Sequence, residues 1–355
     1  MGIAVRILAL GALMLPVACF SGIEPPLPTA LVSVEGGVFL FGSTEPCFNA
    51  DQNEVTCASN AYGMPQTFPT VSVSLPAFWI EEHEVTNLQY RYCVEMGGCR
   101  FPEFTNTTGI EDYFGNSAHD NFPVVNVTAE MAEEYCTFVG RRLPTEAEWE
   151  RAASGKATTL AQKRFWPVQD NSIDIRRCNS GALAINLYHC NTRNTPVAVK
   201  ASAQDFVEEG GARIWDMAGN VSEFVAGFYD LDVACKDELP ESCDCFRCGS
   251  ADNACKESCY TECSECTNNP DCYGQCESEF PPRGLPRCIM YAAGDAQIPA
   301  TIFRTTGTER MLRGGNYQVR ANQTCRARAT DRFFHLGTSQ FGPAYGFRCA
   351  ADSGL

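Results

Sequence analysis

The chain has 355 residues, 45% of them hydrophobic, enough to bury one large core or two modest ones. Its 27 basic and 43 acidic residues give a net charge of −16 with no run of Lys or Arg, which excludes the electrostatic footprint of a nucleic-acid binder. Twenty-one cysteines argue against a cytosolic chain, since only an oxidising compartment turns so many thiols into crosslinks.

The first residues carry Arg6, an apolar run from Ile7 to Leu15 and small residues before Cys19, the pattern of a secretory signal too short to span a bilayer as an anchor. Residues 1–18 are therefore expected to be a signal peptide. The Val17-Ala18-Cys19 junction resembles a bacterial lipoprotein cleavage site with Cys19 as the lipidated residue; Pro16 departs from that pattern and leaves free secretion as the alternative. Setting Cys19 aside leaves twenty cysteines, which can pair completely.

A Pro-rich linker, residues 19–30, leads into a domain expected over 31–352. Its first segment, LVSVEGGVFLFGS, alternates in hydropathy and turns at Gly36-Gly37, a hairpin-like signal, and VSVSLPAFWIEEHEVT supplies two more strand-like runs. Three helix starts follow. Thr86 with Gln89 forms a capping box whose helix stops at Gly97-Gly98; Thr128 opens TAEMAEEYCTFV, closed by Gly140; Thr145 with Glu148 forms a second box that opens EAEWERAAS. Glu146, Glu148 and Glu150 lie near the positive end of that helix, a stabilising arrangement that does not imply acid/base catalysis. Beyond it, short strands, glycines and loops dominate, so the fold class is α+β with little regular secondary structure.

Residues 230–288 stand apart as an insert. The stretch from Tyr229 to Cys288 holds eleven cysteines and almost no aliphatic side chains, so it must rely on disulfides in place of a core. Two i,i+4 pairs inside it suggest short antiparallel helices bridged as Cys255–Cys276 and Cys259–Cys272. Soft-metal binding is the competing reading, weakened by the lack of any histidine there. Elsewhere His83, His119, His189 and His335 are scattered without ligand spacing and are read as surface or packing residues.

Five stretches, GGVFLFGS, FWIEEHEVTNLQY, GRRLPTEAEWERA, WDMAGNVSEF and the pair LRGGNY with YGFRCAAD, together resemble the formylglycine-generating enzyme or sulfatase-modifying-factor family. The resemblance implies a variant of the C-type lectin fold. It also implies an oxidase that converts a sulfatase cysteine to formylglycine with dioxygen and Cu(I) held by two thiolates, since soft ligands hold that ion. The family places those thiolates five and ten residues after the first glycine of its double-glycine motif. Here that glycine is Gly314, and the positions hold Val319 and Thr324, neither of which can bind copper; the serine often found after the double glycine is Asn316. Copper is therefore not expected. Cys325, one place beyond the second position, is read either as half of a disulfide to the insert or as a thiol activated by the surrounding arginines, which are themselves read as solvated or carboxylate-paired.

WDMAGNVSEF resembles the family's calcium loop, with Asp216 and Glu223 supplying carboxylates and Gly219 and Val221 backbone carbonyls; a tight turn with solvent-facing acids is the alternative. Proximity names the bridges Cys47–Cys57, Cys93–Cys99 and Cys178–Cys190, and lectin-like folds that tie a helix to the last strand imply Cys136–Cys349. Three functions follow: a non-catalytic exported domain that binds a protein or peptide, an active oxidase with displaced thiols, and a calcium-dependent carbohydrate binder. Membrane contact is expected only through the N-terminal lipid.

Overall fold

The computed structural model describes residues 26–43, 47–48, 54–55, 71–168, 194–228, 298–299, 310–319, 327–331, 333–334 and 341–354. Expectations for Cys19 and the signal segment, the insert, Thr324, Cys325, His189, His335, Cys57, Cys178–Cys190, Cys255–Cys276 and Cys259–Cys272 lie outside these residues, and of Cys47 only the backbone is described.

The described residues form fourteen short strands: β1 Leu31–Val34, β2 Gly37–Phe41, β3 Cys47–Phe48, β4 Glu54–Val55, β5 Val71–Leu75, β6 Phe78–Glu81, β7 Phe206–Glu209, β8 Ala212–Trp215, β9 Ser222–Phe228, β10 Ile298–Pro299, β11 Arg310–Arg313, β12 Phe333–Phe334, β13 Tyr345–Phe347 and β14 Ala350–Ala351. Among the described residues the α-helices are α1 Asn87–Glu95, α2 Ala129–Phe138 and α3 Glu146–Ser154. Helices and strands are thus mixed, with few helices, as an α+β chain requires. Among the described residues no helix is long and apolar enough to cross a membrane.

The helix starts follow from local chemistry. Thr86 accepts from the Gln89 N–H, and Thr145 from that of Glu148 at 3.2 Å, while each partner's side-chain oxygen accepts from the cap's own N–H, at 2.9 and 2.7 Å. Thr128 caps α2 through the Met131 N–H. Each box satisfies orphan donors, and losing such a cap typically costs about 1 kcal/mol.

Three sheets position the site. In the first, β6 lies between β1 and β14, antiparallel to both, with Val32 opposite Ile80 and Ala350 also opposite Ile80. The second orders β10-β5-β2, and the third β12-β11-β9-β13, with β13 parallel to β9. The hairpin β7-β8 turns on Gly210 and Gly211, both at positive φ, and a Cβ at Gly210 would stand 2.7 Å from the Ser33 carbonyl oxygen, so that turn admits only glycine.

Two large apolar cores and a smaller cluster of Tyr113, Val125, Val221, Tyr317 and Ala344 result among the described residues. One buries Val32, Phe39, Phe41, Phe78 and Ile80 against Ala147, Trp149, Ala152 and Ala153 of α3. The other packs Tyr90 of α1 and Tyr135 of α2 on Phe347, with Phe224 and Leu312 beneath. Disulfides join Cys93 to Cys99 across the glycine turn and Cys136 of α2 to Cys349 beside β14. All four cysteines whose side chains are described are therefore oxidised pairs.

Candidate functional site

The segment after the double glycine is the first half of the site. Gly314 sits at φ 76°, and a Cβ there would approach the Met217 carbonyl oxygen to 3.0 Å and the Trp149 ring to 3.1 Å, so glycine is the residue that fits. Ser222 Oγ donates to the Gly314 carbonyl (2.9 Å) and accepts from Asn316 Nδ2 (2.8 Å). Asn316 Oδ1 in turn accepts from the Gln318 N–H at 2.9 Å. Tyr317 donates its N–H to the Asn220 carbonyl and its hydroxyl to that of Pro343, and Gln318 Nε2 donates to Thr108. Val319, where the resemblance places the first thiolate, is 2% exposed.

RLPTEAEWE explains itself in this structure. Arg142 donates two bonds of 2.7 Å to Glu148, Trp149 Nε1 donates to Glu223 at 2.8 Å, and Glu150 accepts from Lys163 Nζ at 2.8 Å and from Arg313 at 2.5 Å. Glu146 pairs with Arg313 at 3.3 Å. The three glutamates are thus buried ion-pair partners, which goes beyond the helix-end effect expected of them. Arg313 is fully buried and carboxylate-paired, so solvation is corrected at that arginine. Burial works to raise the Glu150 carboxyl, but Lys163 and Arg313 prevail and hold it below its ordinary value.

The second half is the loop between β8 and β9. Asp216 and Asn220 occupy left-handed backbone at φ 60° and 62°, which short polar side chains tolerate best. Glu223 is 1% exposed, and Arg348 grips both of its oxygens through Nε (2.7 Å) and Nη2 (2.6 Å) while also donating to the carbonyls of Trp215 and Glu81. Glu84 accepts from the Val221 N–H at 3.0 Å and from Asn220 Nδ2 at 2.7 Å. Asp205 accepts from the Ala218 N–H at 2.9 Å, and Asp216 from the Lys200 N–H at 2.6 Å.

Four buried carboxylates, Glu84, Asp205, Asp216 and Glu223, thus surround one buried guanidinium. Burial, aided by neighbouring acids, pushes Glu84 and Asp205 well above the carboxylate range and Asp216 up to about 7. Burial likewise pushes His83, which packs beside this group, down to about 4.

Of the calcium set, Asp216, Gly219 and Val221 are buried on this loop and Glu223 is buried just beyond it in β9, which corrects the alternative of solvent-facing acids. The fit to a cation is mixed. The excess negative charge suits one, and Asp205 Oδ2 is buried with no hydrogen-bond partner. Glu223, however, is already engaged by Arg348 and Trp149, and among the described residues no three His, Cys, Asp or Glu side chains converge as a metal-binding group. Sequence reasoning missed Glu84, Asp205 and Arg348. Glu84 and Arg348 lie inside the quoted motifs, whereas Asp205 carries no sequence signal.

Comparison with known proteins identifies the family. Residues 24–353 match the family described as "Sulfatase-modifying factor enzyme 1-like domain". A formylglycine-generating enzyme of Thermomonospora curvata is 35% identical over 240 residues, 57% of this chain and 72% of that protein. The serine/threonine-protein kinase Pkn1 of Chlamydia trachomatis is 29% identical over 217 residues, 58% of this chain; the match spans only 29% of that relative's length. Among solved structures, PvdO from Pseudomonas aeruginosa superposes with a TM-score of 0.50 at 16% identity, covering 94% of this chain and all of that one, a likeness of fold alone.

Proposed function

The chain belongs to the sulfatase-modifying factor enzyme 1-like family, and from that premise we propose that it is a non-catalytic binding or scaffold member, exported and attached to the cell envelope through a lipid on Cys19. Its partner is a protein or peptide. The observation that carries this reading is Val319, a buried apolar side chain at the position where the family's oxidase needs a thiolate. Hydrocarbon offers no lone pair to Cu(I), and a single remaining sulfur at Cys325 would make a poor seat for it. Asn316 also supports the reading, because both ends of its amide are spent on Ser222 and the Gln318 N–H.

The formylglycine-generating oxidase is the second reading, favoured by the 35% identity to the Thermomonospora enzyme. The deciding experiment titrates the purified chain with Cu(I) against a chromogenic chelator, then incubates it with a Cys-x-Pro-x-Arg peptide and oxygen and follows the peptide by mass spectrometry. The binding reading expects no competition for the ion and no formylglycine peptide; product would overturn it. Alkylation under denaturing conditions should find no free thiol at Cys325, and intact mass from a bacterial membrane fraction should carry the lipid on Cys19.

We further propose the C-type-lectin-like variant fold with a disulfide-stapled insert at 230–288, and calcium as a structural ion of the 216–223 loop. Asp216 with the carbonyls of Gly219 and Val221 would hold it, while Arg348 already serves Glu223. When bound, the ion would supply positive charge to a buried group that has too little. Carbohydrate binding rests on the fold likeness alone, and a glycan array read with and without chelator tests it.

A further inference from the structure

The large exposed hydrophobic side chains of the described residues are Leu27, Met96, Phe101, Phe104 and Phe138, and four of these five sit at one corner, where α1, its following loop and the end of α2 meet. Phe101 is 57% and Phe104 55% exposed, values that leave most of each ring in water. The corner is braced. The Cys93–Cys99 bridge closes the turn, Tyr90 donates to the Arg100 carbonyl, the Glu103 N–H donates to Asn126, and Asn126 Nδ2 donates to the Asn106 carbonyl at 2.7 Å. Phe101 rests edge-on against buried Phe114 with centroids 5.3 Å apart, and Phe104 leans on Phe341 at 5.5 Å. Rings held this way lose little freedom when something covers them.

Charge decides what that something is. The two cations of the corner are spoken for, Arg91 by Asp120 and Arg100 by Glu134. Glu95, Glu103, Glu111 and Asp112 are exposed on the same turn and loop and enter none of the described ion pairs. An anionic bilayer would be repelled by these carboxylates, and so would a second copy of a chain whose net charge is −16. A polypeptide segment with Lys or Arg between apolar side chains complements both features.

We propose that this aromatic, acid-rimmed corner is a docking surface for a basic segment of another protein that packs apolar side chains on Phe101 and Phe104. The proposal rests on the reading that the chain acts by binding, and names the chemistry of its partner. Because Val319 is not among the side chains that build the corner, an active oxidase would overturn that reading without touching the result here, and a failure here would leave the copper experiment standing.

The test uses the full chain and two fluorescein-labelled probes, Lys-Phe-Lys-Leu-Phe-Lys and its charge-reversed counterpart Glu-Phe-Glu-Leu-Phe-Glu, in a fluorescence anisotropy titration. Phe101→Ser/Phe104→Ser, which leaves charge unchanged, should weaken the basic probe by about tenfold or more. Leu27→Ser, an equally apolar loss elsewhere, should leave it unchanged, and the acidic probe should not bind. Glu103→Gln/Glu111→Gln provides a second route that keeps the rings: binding should weaken a few-fold, with a shallower dependence on salt. Equal binding of both probes, unaltered affinity in the phenylalanine variant, or no binding of either probe would overturn the proposal. So would self-association, seen by sedimentation, or glycan retention that disappears in the phenylalanine variant, since each would assign the corner to a different occupant.

Discussion

Replacing Arg348 by Met keeps an unbranched apolar stem in the core while deleting the guanidinium that pairs with Glu223. The side chain is fully buried, bonded to both Glu223 oxygens at 2.6 and 2.7 Å and to two backbone carbonyls. Removing one partner of a buried pair costs about 3–5 kcal/mol. Each carbonyl left unsatisfied adds about 1–3 kcal/mol if no water reaches it. A loss of at least about 4 kcal/mol is therefore expected, out of a total that for most domains is about 5–15 kcal/mol. The loss should also depend on pH. Burial raises Glu84, Asp205 and Asp216 while Arg348 draws them down, so without Arg348 those carboxyls rise further, the variant loses more stability as pH climbs, and the gap to the parent is wider at pH 8 than at pH 5. Urea unfolding followed by tryptophan fluorescence at both pH values measures it, because Trp149 donates to the Glu223 carboxylate. Lys156→Met, which breaks the exposed pair with Glu35, serves as the control and should leave the midpoint nearly unmoved. A deficit below about 1 kcal/mol, or one equal at both pH values, would refute the claim that this guanidinium balances the buried acids.

In chelator, Asp216→Asn should raise the melting temperature at pH 8 and remove part of the pH dependence: a carboxyl pushed up to about 7 from an ordinary 3.8 makes the fold lose stability as pH climbs between those values and levels off above. His83 acts in the opposite sense, since a ring pushed down to about 4 from 6.5 costs stability as pH falls through that window, and His83→Gln should flatten that limb in the same scan. Breaking Cys136–Cys349, with a sequence separation of 213, should cost about 5 kcal/mol by chain entropy, against about 2 for Cys93–Cys99 with its separation of 6; urea midpoints that rank the two the other way would show that the short bridge carries more than loop closure. Removing calcium with EDTA should lower the melting temperature by several degrees, restored by calcium and not magnesium, and an unchanged transition would withdraw the ion from the 216–223 loop.

The helices were legible because their start signals are local. Thr86 with Gln89 and Thr145 with Glu148 satisfy the first-turn donors using residues three apart, so reading the sequence is close to reading the bonds. The bridge across Gly97-Gly98 was legible for the same reason, since its cysteines flank one turn. The candidate site was legible only in part. Asp216 and Glu223 announce themselves on one loop, but Arg348 meets Glu223 across 125 residues, and Glu84 reaches the Val221 N–H across 137. No periodicity encodes such encounters, because they depend on tertiary pairing, the first of them on β13 lying parallel to β9. Arg313 was legible only as one of two alternatives, solvated or carboxylate-paired, and the packing of α3 on β11 decides for the second by placing it among Glu146 and Glu150.

The sheet in which β6 lies between β1 and β14 carries a timing consequence. Its central strand is bordered on one side by residues 31–34 and on the other by 350–351, and the Glu81 N–H meets the Cys349 carbonyl at 2.9 Å. A ribosome adding about 5–20 residues per second takes on the order of tens of seconds to travel from Ile80 to its partner Ala350. For that interval one edge of β6 has nothing to pair with, so this sheet is completed only once residues 350–351 have been made.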